Sequence, residues 1–459
     1  MARMDEARVR RILDISLRFG QLMLGSQAGT ADVAATVIGV ASAYGLSNTQ
    51  VDITANSITV SVPRKVPGAP VTAMYLVQTR SLDYSRLQAA TNLAQQVVDT
   101  IPEPEWVQGQ LDALENLGHP YPRWVATVSW ACMAAAFSVL IGAVPLVALI
   151  SGITTALIDR VGRVLNRHHV PLLFQQVTAA LIATSVAIGL HAVGWLPEHT
   201  PVSPVVAANI VVLLSGLATV GSFQDAITGY QLTAASRMMD ILISSAGILV
   251  GVTVAVRIGS ALGVHVYVSP AMPLAALPVP LYAVAGAVGA GAAALAGYAQ
   301  PRAAVAAGAA GAIASLIFFG MQLIDAGIIV SSFVAALATG LVGSILAPRM
   351  RVTPLVIIVS GVVPLVPGLT LFRGFVQLVN GQSAASGSLG MAAGLALALG
   401  AGAVLGPLLA PSVRRELSRA RHMPQELHHH QGDNGRWFPQ LAGIRLPRVR
   451  RGGRNHRPD

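Results

Sequence analysis

The chain has 459 residues, of which 53% are hydrophobic and only 11% charged. Soluble domains carry about 25% charged residues, so a chain folded wholly in water is excluded. The net charge of +10 raises nucleic acid as a partner. However, the arginines fall between apolar runs and in the C-terminal tail, where such charge reports membrane topology and no nucleic-acid partner.

Further exclusions come from residue usage. Lys65 is the sole lysine, so arginine supplies nearly all the positive charge. Cys132 is the sole cysteine, which rules out an intramolecular disulfide and a cysteine zinc site. It falls in the first apolar run and is expected to pack there. The chain carries no Gly-x-Ser-x-Gly elbow, Walker loop or His-Glu-x-x-His pattern, so neither an enzyme nor ATP-driven transport is expected. No cofactor and no metal are expected either.

The first 123 residues read as a small α+β domain. Met1–Gly25 is amphipathic and charged and lacks the apolar core of a signal peptide, which predicts a cytoplasmic N-terminus. Val9, Ile12, Leu13 and Leu17 stripe a first helix. Thr30 is the expected N-cap of a second, with Asp32 in its first turn and Gly45 as its stop. Val51–Thr54 and Ser57–Val62 alternate in polarity around Ala55-Asn56, as a hairpin does, and Ala73–Thr79 is a third strand. Leu87, Ala90, Ala94, Val97 and Ile101 stripe a third helix that Pro102 ends. A short polar helix, Glu103–Leu117, leads to a linker at Gly118–Pro122.

Ten apolar spans follow: Trp124–Ile141, Val144–Ile158, Leu172–Trp195, Pro204–Phe223, Met239–Leu262, Pro280–Tyr298, Ala303–Met321, Ala326–Leu346, Pro354–Leu378 and Leu389–Leu409. A crossing needs about 20 residues. The predicted fold is an α-helical polytopic membrane protein of about ten transmembrane helices with a small cytoplasmic α+β domain. Its parts are 1–123, a first five-helix half at 124–265, a second at 278–410, and a basic tail at 411–459.

Charge supports this count. Even-numbered spans end beside Arg160, Arg163 and Arg167, then Arg237, Arg302, Arg349 and Arg351, and Arg414, Arg415, Arg419 and Arg421. The alternate loops hold no lysine or arginine, which is the positive-inside pattern with both termini cytoplasmic. Arg257 and Arg373 lie near the outer ends of spans. The tail from Ser412 is Arg/His/Pro-rich and expected to be disordered. Its charge suits contact with anionic lipid, and His428–His430 needs no metal to explain it.

Several segments carry a family resemblance. They are Gly25-Ser-Gln-Ala-Gly-Thr-Ala-Asp-Val33, Tyr44-Gly-Leu46, Val51-Asp-Ile-Thr-Ala-Asn-Ser-Ile-Thr59, Asp225-Ala-Ile-Thr-Gly229 with Arg237 eight residues on, and Ser360-Gly-Val-Val-Pro-Leu-Val-Pro-Gly368 with Phe372-Arg-Gly374. In this order, beside ten spans, they resemble the threonine/serine exporter family over about residues 8–410. The resemblance implies export of threonine and serine across the bacterial cell membrane, driven by the proton motive force. The implied partners are the amino acid, protons and the lipid bilayer, with a homo-oligomer left open. Split relatives have been linked to dicarboxylate export, so that remains an alternative. So do a membrane scaffold with a partner-binding cytoplasmic domain and, further off, a membrane-embedded hydrolase.

Candidate transport residues follow from the scarcity of charge. Between Trp124 and Pro411 the only acidic residues are Asp159, Glu198, Asp225, Asp240 and Asp325. A carboxylate near the membrane must be paired, wetted or functional. Asp225 is either an interfacial group that caps a helix or pairs with Arg237, or a proton carrier or ammonium contact. Pro364, Pro367 and Gly368 should break the ninth span, and broken helices expose polar backbone at depth where transporters bind substrate. Arg373, just beyond, could hold a carboxylate or snorkel outward.

Ten spans divided into five and five imply an inverted repeat, because an odd-numbered unit repeated in tandem must enter the membrane upside down. Ser215-Gly216 followed by Gly229, and Ser360-Gly361 followed by Gly374, mark the fourth span of each half. A site between the fourth and ninth spans would be bordered by Gly216, Gly221, Gly361, Pro364, Pro367 and Gly368.

Overall fold

A computed structural model describes residues 6–63, 70–78, 81–194, 216–264, 278–365, 368–379 and 382–421, with 206, 209 and 213 between. The chain divides into two compact units, Met1–Pro411 and Ser412–Asp459. Of the second, only 412–421 are described, so the predicted tail with its histidines lies outside.

The N-terminal part is α1 (Glu6–Gly25), α2 (Thr30–Ala43), a β1-β2-β3 sheet (Gln50–Thr54, Ser57–Val62, Val71–Leu76), α3 (Tyr84–Thr100) and α4 (Pro104–Glu115). Both strand pairings are antiparallel, with Thr54 opposite Ser57 across the Ala55-Asn56 turn. Ile12, Leu13, Phe19, Val37, Ile58, Leu87 and Leu111 are fully or almost fully buried between helices and sheet. One expectation is corrected. Thr30 is the first helical residue and Gly29 is the N-cap, with no side-chain cap of its own.

The helical part is α5 (Arg123–Leu140), α6 (Pro145–Arg167), α7 (Leu172–Ala192), α8 (Gly216–Ile227), α9 (Gln231–Ala261), α10 (Val279–Ala296), α11 (Pro301–Gln322), α12 (Ile328–Met350), α13 (Pro354–Val362), a 3-10 turn (Val363–Leu365), α14 (Gly368–Val379) and α15 (Ala385–Arg421). Among the described residues, eight helices are long and apolar enough to cross a membrane. The fourth predicted span falls partly outside the described residues and ends as α8. The ninth is broken: helix gives way to the 3-10 turn at Val363–Leu365 and resumes at Gly368. Pro364 lacks an N–H and its ring crowds the preceding turn, which favours the break, although α15 continues through Pro407 and Pro411. The chain is a polytopic helical membrane protein with a small sheet near its N-terminus. Cys132 is a second correction: it is exposed on α5 and not packed.

Glycines set the helix pairing, because a missing side chain lets backbones touch. Gly152 on the second span faces the Ala131 carbonyl of the first, and Gly311 on the seventh faces Gly286 of the sixth. Gly247 and Gly251 on α9 face the Leu173 and Val177 carbonyls of α7. Gly402 and Gly406 on α15 face the Phe333 and Leu337 carbonyls of α12. The fourth span touches the tenth where Gly400 meets Val220, and Leu371 of the ninth joins the cluster of Ile248 and Val252 on the fifth. The first meets the sixth at Gly289, near Ala136 and Phe137. Exchanging each span with the one five places away maps the first–second pairing onto the sixth–seventh, the third–fifth onto the eighth–tenth and the fourth–tenth onto the fifth–ninth, and leaves the first–sixth unchanged.

The N-terminal part docks on one end of this bundle, and its core runs on into Ala303, Ala307, Val356 and Ile357. Gln88 Nε2 donates to the Arg351 carbonyl at 2.9 Å. The Tyr84 N–H donates to the Gly297 carbonyl at 2.8 Å, and the Tyr121 hydroxyl donates to Ala299 at 2.6 Å. These contacts fall at the ends of the sixth and eighth spans, next to Arg302, Arg349 and Arg351. A methyl on Gly297 would sit 2.7 Å from the Tyr84 ring. Gly297→Ala is therefore expected to weaken docking by about 1–3 kcal/mol. Faster limited proteolysis of the 118–122 linker would report it, and a wild-type digestion rate would refute it.

Candidate functional site

The site is assembled where the α1–α2 loop meets the α8–α9 turn. Gly229, at φ +95°, lets the chain reverse within a few residues, and the Tyr230 N–H closes the turn on the Asp225 carbonyl at 2.9 Å. That φ is costly for any residue with a Cβ. The reversal brings Asp225, near the end of α8, beside Arg237 in the second turn of α9. Asp225 Oδ2 lies 2.9 Å from Arg237 Nη1, with side chains 2% and 13% exposed. The contact is an ion pair without hydrogen-bond alignment, because Oδ2 accepts no hydrogen bond in proper geometry. Gly221 leaves room for it, since a Cβ there would come within 3.2 Å of the same Nη1.

The other oxygen of Asp225 reaches across to the N-terminal part. Oδ1 accepts the backbone N–H of Thr30 at 3.1 Å. A helix leaves its first N–H groups without partners, and here a carboxylate 195 residues away in sequence supplies one. Asp225 therefore both caps a helix and pairs with Arg237. Arg237 Nη2 also approaches the Ala28 carbonyl at 3.5 Å. Nearby, Thr233 Oγ1 accepts the Ala55 N–H at 3.2 Å and donates to the Ile53 carbonyl at 3.1 Å. This fixes the hairpin tip, where Ala55 sits at φ +50°.

Two cavities flank this junction. One, of about 380 Å³, is lined by Gln27, Gly29 and Tyr84 from the N-terminal part and by Gln176, Gly221, Arg237, Asp240, Ser244 and Val362 from the bundle. The other, of about 510 Å³, is lined by Ala28, Asp32, Asp225, Thr228, Ser344 and Pro407. Gly29, Gln224, Leu355, Ile358 and Ala403 border both. Asp32 is open to water through its cavity although protein surrounds it closely. That desolvation, with the nearby Asp225 charge, pushes its carboxyl above the usual range. Burial pushes the Tyr84 phenol up to about 12, partly offset by the Ser360 hydroxyl, so it stays neutral at physiological pH.

The structure brings Asp225, Arg237 and Gly221 together and leaves the other candidates apart. Gly216 opens α8. Gly361 packs with its open side toward Thr339 and Ala310. Pro364 lies in the 3-10 turn, 3.9 Å from where a Gly289 Cβ would stand. Gly368 starts α14, Arg373 is half-buried on it, and Pro367 lies outside the described residues. Val220 of the fourth span shares a hydrophobic cluster with Val362 and Leu365 of the ninth. Sequence reasoning missed Thr30, Gln27 and Gln176 as part of this site. The only signal for the first two was their place in the Gly25–Val33 segment.

Comparison with known proteins agrees with this architecture. A family model described as a putative threonine/serine exporter matches residues 14–259, and a second, for threonine/serine exporters, matches 282–408. A probable threonine/serine exporter of Mycobacterium tuberculosis is 38% identical over 89% of this chain and 78% of its own length. A threonine/serine exporter of Corynebacterium glutamicum is 34% identical over 90% of this chain and 85% of its own. No solved structure matches. With matches on both helical halves and on the N-terminal part, the chain belongs to the threonine/serine exporter family, a family of transporters and not of enzymes.

Proposed function

We propose that this protein exports threonine and serine across the bacterial cell membrane and is driven by the proton motive force. The observation that carries this reading is the 380 Å³ cavity between the fourth and ninth spans, with Arg237 and Asp240 in its wall. The two are three residues apart on α9, so they share one helix face about 5–6 Å apart. Opposite charges at that spacing suit a zwitterion. A dicarboxylate would bring its second charge toward Asp240, which disfavours that alternative. Gln176 and Ser244 offer partners for a substrate hydroxyl. Asp225 is the carboxylate we assign to proton movement, being nearly sealed from solvent in this state and held, among the described residues, by the Arg237 cation.

Cells lacking the protein and loaded with a threonine-containing dipeptide should retain threonine, and restoring the chain should empty the pool. An unchanged pool would turn the reading toward a dicarboxylate exporter or a scaffold. The same reading puts both termini in the cytoplasm. Reporter fusions after Gly381 and after Arg421 should read outside and inside respectively, and the reverse at either point would overturn this topology.

A further inference from the structure

The loop that joins α1 to α2 presents two backbone groups to one ion pair. The Thr30 N–H points at the Asp225 carboxylate and the Ala28 carbonyl at the Arg237 guanidinium. A free amino acid carries the same pair in stronger form: an ammonium that donates to a carboxylate and a carboxylate that accepts from a guanidinium. Its two charges hang on one carbon, so a single molecule can bridge Asp225 and Arg237. The match extends to the side chain. Thr30 is itself a threonine, fully buried, and its hydroxyl has no hydrogen-bond partner among the described residues. A buried hydroxyl without a partner is an unfavourable feature that packing alone does not explain.

We propose that Asp225 and Arg237 are the groups that first bind the ammonium and carboxylate of the exported amino acid, before its ammonium passes to Asp240 in the inner cavity, and that the Ala28–Thr30 loop occupies them as a tethered stand-in for substrate. This rests on the exporter reading above. The loop also forms the wall between the two cavities, since Gly29 borders both. A substrate that enters beside Asp32 and Asp225 must displace the stand-in to reach Arg237 and the inner cavity. The N-terminal part is then a gate opened by competition, and only a molecule carrying both groups can open it. Binding of the ammonium to Asp225 also excludes a proton from that carboxylate, as exchange of one for the other requires.

The test uses Thr30→Pro in the full chain. Proline removes the N–H aimed at Asp225, together with the unpartnered Thr30 hydroxyl, and is favoured at the first helical position. The preceding Gly29, at φ −62° and ψ 141°, already has the extended backbone that proline demands. Without the competing donor, the purified variant should bind L-threonine about tenfold more tightly than wild type. In wild type, saturating L-threonine should speed hydrogen exchange of the amides at 28–36, while L-malate should not. Equal or weaker threonine binding by Thr30→Pro, or exchange at 28–36 that ignores threonine, would overturn the stand-in and leave the exporter reading intact. An absence of threonine binding in every form would overturn both.

Discussion

Replacing Asp225 with asparagine is expected to bring pH-gradient-driven threonine efflux down to the level of a deletion strain. Asparagine keeps an oxygen that can accept the Thr30 N–H, so the cap on α2 survives. What is lost is the negative charge 2.9 Å from Arg237 and the ability to take up and release a proton. Removing one partner of a buried pair leaves the other uncompensated, at a cost of about 3–5 kcal/mol. The thermal midpoint should therefore fall as well, and a monodisperse elution profile is needed to show that the variant still folds. Threonine–threonine exchange across vesicles with no pH gradient separates the two effects. It should persist at a reduced rate, because it needs no net proton transfer. Normal gradient-driven efflux by Asp225→Asn would confine the residue to its capping and pairing roles.

Gly251→Ile and Gly402→Ile are each expected to abolish stable insertion, although neither residue touches the cavities. The open side of Gly251 lies against the Val177 carbonyl of α7, and that of Gly402 lies 2.6 Å from the Phe333 carbonyl of α12. The obstacle is backbone inside a helix in both cases, so no side chain can turn aside. The overpacking cost should reach or exceed about 3 kcal/mol at each site. The two positions correspond under the five-plus-five exchange of spans, so their defects should match in size. Membrane yield and thermal midpoint would measure this. A well-folded Gly251→Ile beside an unstable Gly402→Ile would argue that the two halves do not share one packing scheme. Gly320, with nothing within 4 Å of its missing side chain, is the control and should tolerate the same change.

Much of this architecture is legible in the chain because the bilayer imposes simple rules. Long apolar runs must be helices that satisfy their own backbone, and arginines gather at one set of ends. The break in the ninth span is legible from Pro364, Pro367 and Gly368, because a proline's missing N–H acts locally. Strand alternation around Ala55-Asn56 fixes the hairpin for the same reason: a period of two needs no distant partner. The error at Thr30 is instructive. Local rules favour a threonine as N-cap, yet its N–H is capped by Asp225, far along the chain. The error at Cys132 has the opposite cause, since a lipid-facing apolar position reads like a packed one when both surroundings are apolar.

The sequence by itself determined the membrane character and the elements of the N-terminal part, and it singled out Asp225 and Arg237 as candidates. Each of these depends on composition, periodicity or scarcity of charge, and all three can be read along one dimension. Only the tertiary structure decided that Asp225 faces two ways, that the Ala28–Thr30 loop reaches the ion pair, and that Gly361 and Pro364 turn from the cavity while Gln27 and Gln176 line it. These are relations between segments that approach only once glycine-lined helices have closed against each other's backbones. No local pattern encodes where the carboxylate of one span will meet the first N–H of a helix 195 residues earlier.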